Sequence, residues 1–147
     1  MIDVLLLILT LLMLYTGRKN LAIFRPVLMS QDVDEQKLTD GDTATCTETN
    51  PANKAAKEWI KVDLFKEYNI ALVRIYNTNS LKTFIEGAKV LVDGSLCGTV
   101  GSMGTASFVD VHCSSTILGS VVVVYLTTSE SVTKISACEI EVYEGIV

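Results

Sequence analysis

Asp40-Gly41-Asp42 is the densest run of candidate ligand residues in the chain. Calcium takes six to eight oxygens, from carboxylates, hydroxyls and backbone carbonyls. The triplet places two carboxylates on a tight turn, and Gly41 allows the backbone to curl around an ion. Thr45 follows three residues later and can add a hydroxyl. Taken alone, Asp-Gly-Asp reads more simply as a solvated turn. Cys46, Cys97, Cys113 and Cys138 are the second group with chemistry. None sits in a Cys-x-x-Cys, and His112 is the single histidine, so a zinc site is not expected. An even count suits two disulfides, with three pairings open. His112 lies next to Cys113 with no acid or nucleophile partner in sequence, so a structural role is expected of it.

These residues sit in a 147-residue chain with a formal net charge of −5. Residues 4–14 form one apolar run, too short for the ~20 residues that span a bilayer. The run suits the h-region of a secretory signal peptide over residues 1–17, although Asp3 is its only charge and Tyr15 sits where a small residue is preferred. A short uncleaved anchor and a misplaced start are the alternatives. Cleavage would remove Asp3 and no base, taking −5 to −4. A mildly acidic domain without a basic stripe does not bind nucleic acid, and no Lys/Arg cluster points to a membrane surface. No asparagine lies in a glycosylation sequon.

The elements that must position the ligands read as strands. Residues 23–29 suit an edge strand interrupted by Pro26. Residues 30–57 are polar and turn-rich, a long loop region with one helical turn expected over 31–37. Residues 59–64 and 70–76 alternate with period two. Residues 89–92 and 95–100 flank Asp93-Gly94, a hairpin signal. Further strands are expected over 105–113, over the β-branched run 121–126 as a buried central strand, and over 135–143. No apolar period of 3.6 is sustained, so one all-β domain over 20–144 is expected, a sandwich or jelly roll.

In that order the chain carries Asn20-Leu21-Ala22, Thr39 to Asp42, Cys46-Thr47-Glu48-Thr49, Trp59 to Leu64, Val73 to Asn77, Gly87-Ala88-Lys89-Val90, Cys97-Gly98 and Cys138 to Tyr143. The ordered set resembles the F-type lectins (fucolectins). The resemblance implies a jelly-roll β-sandwich of the galactose-binding-domain-like, discoidin-like kind. It implies disulfides Cys46–Cys138 and Cys97–Cys113. It also implies a calcium site from Asp40, Asp42 and Thr45, the carbonyls of Lys37 and Cys138, and Glu139. Trp59 falls where the family keeps a core aromatic. Glu139 and Glu141 have the residue types of a glycosidase pair, but they share one strand face and the family uses Glu139 for the ion, so no enzyme is expected.

F-type lectins grip fucose with a His two residues after the first cysteine, an Arg-x-Asp, and a later base. Here Glu48 takes the His position, Asn77-Thr78-Asn79-Ser80 replaces the Arg-x-Asp region, and Lys82 is the nearest final base. Ser80-Leu81 stands where the family has a disulfide between adjacent cysteines. Glu48, Asn77, Asn79 and Lys82 are thus the candidate ligand residues, for a glycan other than fucose or for none. The expected function is non-catalytic recognition outside the cell, with calcium as cofactor, a glycan as partner and a homo-oligomer as a means to avidity. The alternative is a discoidin-like adhesion module binding protein or lipid.

Overall fold

The computed structural model describes residues 3–6 and 18–145. Of the expected signal peptide over 1–17, residues 1–2 and 7–17 lie outside the described residues. No helix among those described is long and apolar enough to cross a membrane.

Among the described residues eight strands carry the fold: β1 (Val27–Met29), β2 (Thr47–Glu48), β3 (Lys57–Tyr76), β4 (Lys89–Val92), β5 (Ser95–Thr99), β6 (Phe108–Thr127), β7 (Ser136–Ala137) and β8 (Glu139–Glu144). The main sheet runs β1-β3-β6-β4-β5, with β8 on β3, and β2 pairs separately with β7. All pairings are antiparallel.

Two pairs of expected strands are each one 20-residue strand. Residues 59–64 and 70–76 join in β3, and 105–113 and 121–126 join in β6. Their shared register breaks between Asp63 and Tyr68. At this bulge Phe65 takes a left-handed φ of 72°, which bends the strand without ending it. The first half of β3 pairs with β1 and the last half of β6, and its second half pairs with β8 and the first half of β6. The halves pack on each other: a Cβ on Gly98 of β5 would stand 2.9 Å from Val111 Cγ1 of β6. Ile60, Val62, Ile75, Val90, Val122, Val124, Ile140 and Val142 fill the core between them. Asp93 and Gly94 both have positive φ, as the tight hairpin requires.

Trp59 departs from expectation. Residues 58, 60, 62 and 64 of β3 face inward, so Trp59 is half-buried on the outer face and Glu58 is buried in its stead. Period two leaves no choice once Ile60, Val62 and Leu64 claim the core. Glu58 is satisfied there by Ser30 Oγ, by Gln31 Nε2 at 3.1 Å and by the Ala55 N–H at 3.0 Å. The run 121–126 is central as expected but buried on one face, with 122, 124 and 126 inward. His112 is exposed.

Candidate functional site

Two neighbouring groups of residues gather where β3 ends and β8 begins. Cys46 pairs with Cys138, which ties the long loop to the start of β8, and Cys97 pairs with Cys113. In the chain-entropy model the first closure stabilises by about 4–5 kcal/mol and the second by about 3 kcal/mol.

The first group lies behind the disulfide. A 3-10 turn, Glu35–Thr39, packs against β8 and delivers the chain to Asp40. Lys37 lies in that turn with its ammonium 2.9 Å from Asp34. Gly41 has φ +85°, and a Cβ there would meet Ile23 Cδ1 at 3.2 Å, so both conformation and space favour glycine. Asp40 Oδ1 accepts from the Asp42 N–H and Asp42 Oδ1 from the Ala44 N–H, each at 2.9 Å, and Thr45 Oγ1 donates weakly to the Asp42 carbonyl at 3.4 Å. Both aspartates therefore turn toward their own loop.

Glu139 is different. It is fully buried, and neither carboxylate oxygen has a hydrogen-bond partner of good geometry. Burial pushes its pKa up to about 7; the Gly41 N–H opposes the rise and the charge of Asp40 adds to it. The structure thus brings Glu139 to Asp40 and Gly41. It does not gather the three expected carboxylates into one cage, and no cluster of three His, Cys, Asp or Glu residues suited to a metal occurs among the described residues. A buried carboxylate without a well-formed hydrogen bond beside a second acid is still the donor chemistry a hard cation takes, so Glu139 and Asp40 fit one in residue type.

The second group is a rim of short segments. Glu48 stands on β2 opposite Ser136 of β7. The 3-10 turn Asn79–Phe84 packs beside β7. Asn79 is exposed there, near a hydroxyl pair, Thr78 Oγ1 to Ser80 Oγ at 3.2 Å. Lys82 is half-buried and donates to the Gly104 carbonyl at 3.0 Å. Asn77 departs from the expected rim: it is 3% exposed. Its amide nitrogen donates to the carbonyls of Leu81 at 3.2 Å and Ser136 at 3.0 Å, so it fastens the rim from beneath.

Sequence reasoning missed Lys134. Its ammonium lies 2.9 Å from Glu48 Oε2 and 4.7 Å from the centre of the Phe84 ring. The Lys134 side chain is 16% exposed and that of Glu48 44%. The rim is therefore a carboxylate, a held ammonium, an aromatic ring and hydroxyls.

The family described as NedA-like, galactose-binding domain matches residues 37–124. Fucolectin-4 of Anguilla japonica is 32% identical over 123 residues, 77% of this chain and 65% of that protein. The fucolectin of Anguilla anguilla is 31% identical over 77% of this chain and 74% of its own length. The chain belongs to the fucolectin family, the F-type lectins. Solved structures agree on the fold. The fucolectin from striped bass (Morone saxatilis) serum superposes with a TM-score of 0.75 at 21% identity, over 90% of this chain and 49% of that one. A Streptococcus pneumoniae fucose binding module gives 0.72 at 22% identity, over 88% and 98%. The chain spans 65% and 60% of the lengths of Fucolectin-4 and Fucolectin-5 of Anguilla japonica. Membership in a lectin family agrees with the non-enzymatic expectation, and Glu141 accepts a hydrogen bond from the Tyr143 hydroxyl at 2.9 Å.

Proposed function

We propose that this fucolectin-family chain is a secreted, calcium-braced glycan-binding module whose rim reads a sugar by a different residue set from the fucose motif. The observation that carries the reading is the Glu48–Lys134–Phe84 group, a polar pair against an aromatic ring on segments outside the main sheet. Sugars present hydroxyls and apolar C–H faces together, and such a cup meets both. The fucolectins of eel and the pneumococcal fucose binding module carry sugar recognition in their names. The residue types at the fucose positions favour another ligand: Glu48 accepts hydrogen bonds where a donor is expected, and Asn77 is turned inward.

Calcium would be held by Asp40, Asp42, Thr45 and Glu139, with the carbonyls of Lys37 and Cys138. Its chemistry there is charge compensation, pinning the 40–46 loop to β8 beneath the rim. The uncompensated Glu139 supports this assignment. Secretion is supported by paired cysteines, which persist in oxidising compartments. A glycan array probed with and without calcium tests the reading. Binding to any saccharide that falls sharply on chelation supports it. A folded, calcium-loaded sample that binds none refutes it.

One observation favours an adhesion module instead. Phe24 and Phe65 are 77% and 64% exposed and both hold left-handed backbone, with the Arg25 guanidinium 5.0 Å over the Phe65 ring. Strain of about 1–3 kcal/mol at such a residue has to be supported by its surroundings. Loss of partner-cell or vesicle binding in F24S/F65S, with glycan binding intact, would identify that second role.

A further inference from the structure

We propose that the rim selects a neutral sugar through two vicinal hydroxyls, held between Glu48 and Lys134, with Lys134 as the specificity-determining residue. The inference rests on the glycan reading above and names the ligand feature that site recognises.

Glu48 Oε2 is taken by Lys134, and Oε1 is bonded to none of the described residues. A carboxylate accepts only, and an ammonium donates only. Lys134 has three protons: one points to Glu48, the ammonium lies over the Phe84 ring, and donor capacity remains for a ligand. One exposed acceptor and one held donor thus stand side by side. Two gauche hydroxyls on adjacent carbons match that arrangement. One donates to Oε1 and the other accepts from Nζ, and the ligand adds to the ion pair without breaking it. Phe84, half-buried, is the aromatic ring beside the pair, and the exposed Thr78–Ser80 hydroxyl pair lies at the start of the same 3-10 turn.

Charge sets the second half of the preference. The ammonium of Lys134 is already neutralised by Glu48, and that of Lys82 is held by the Gly104 carbonyl. A sugar carboxylate or sulfate placed on the pair would face Glu48, and the one cation of the pair already balances that charge. Neutral sugars are therefore favoured over acidic ones. Lys134 is held at low exposure by Glu48 and Phe84, so its position is fixed before the ligand arrives.

The test uses a panel of methyl glycosides: neutral hexoses, their single-deoxy derivatives, and uronic and sialic acid forms. Affinities are measured for the wild type, E48Q and K134M, with melting temperature as the folding control. The expected result is that a neutral glycoside binds best and that each variant weakens it about tenfold, the loss of one charge-assisted hydrogen bond. Removing either of two adjacent hydroxyls weakens binding to the wild type by a similar factor, and in E48Q one of those two penalties disappears. E48Q alters an exposed side chain and supplies the readout should K134M fail to fold. Glycoside binding that ignores both variants, or that prefers acidic sugars, overturns the inference and leaves the glycan reading standing. No binding to any saccharide overturns both.

Discussion

Replacing Glu139 by glutamine separates the fold from its ion. In the metal-free chain the buried carboxyl has its pKa raised from an ordinary 4.5 to about 7. A tenfold change in proton affinity is worth about 1.4 kcal/mol, so ionising this group in the folded state costs about 3 kcal/mol more than in the unfolded chain. The sign follows from proton counts. Between pH 4.5 and 7 the folded state holds the proton that the unfolded state releases, so stability falls as pH rises through that window. Below it the penalty is absent; above it the penalty is complete. In EDTA at pH 8, E139Q should therefore match the wild type or exceed it by about 1–3 kcal/mol, which is about 4–10 °C in melting temperature for a domain of this size. At pH 4.5 the difference should vanish. Millimolar calcium should reverse the order at pH 8, raising the wild type and leaving E139Q unmoved. Calorimetry of both proteins, with and without calcium at the two pH values, reads all of this, and comparing the two proteins cancels other titrating groups. The reasoning fails if E139Q is destabilised in EDTA at pH 8, or if calcium raises both proteins equally.

Other perturbations test neighbouring parts of the structure. Gly41→Ala meets a positive φ and a 3.2 Å approach to Ile23, so it should cost about 1–2 kcal/mol in urea unfolding and weaken calcium binding measured by calorimetry. Asn77→Ala strands the carbonyls of Leu81 and Ser136 and should cost about 2–3 kcal/mol. Asn79→Ala, at an exposed position, should stay within about 0.5 kcal/mol by the same assay. The register of β3 is checked by a contrast: Ile60→Ala should cost about 3–4 kcal/mol, and Trp59→Ala clearly less. A Trp59→Ala loss as large as that of Ile60→Ala would contradict the outward placement of Trp59.

Much of this was legible in the sequence because its signals are local. Asp93-Gly94 dictates a hairpin whatever surrounds it, and the alternation in 59–64, 70–76 and 135–143 marks strands with one buried face. The joins within β3 and β6 were not legible. Residues 65–69 break the apolar alternation, and the pairing of Tyr68 and Asn69 to Gly119 and Leu118 on β6 carries the strand on past the bulge. Trp59 was expected in the core because the resemblance puts an aromatic there, whereas parity with Ile60, Val62 and Leu64 turns it outward. Glu58 takes the inward position, and its partners Ser30 and Gln31 come from a loop that adjacent residues do not announce. Lys134 was missed for a similar reason: its partners, Glu48 and Phe84, lie far along the chain and meet it only after β2 pairs with β7.

The proposed change in sugar reading and a preserved fold are compatible because the two tasks fall on different kinds of position. Glu48, Asn79, Lys82 and Lys134 lie on a two-residue strand, a 3-10 turn and a loop, and none of the four is among the buried residues of the core. Asn77 and Glu139 lie close by in the chain but are buried, one tied to two carbonyls and the other left without donors. A change at either carries a penalty in stability or in ion binding that a change at the rim does not. Substitution is thus cheap at the residues that would touch a ligand and expensive at those that hold them in place. A family scaffold built this way can change its sugar while keeping its cysteines, its glycine turn and its buried glutamate.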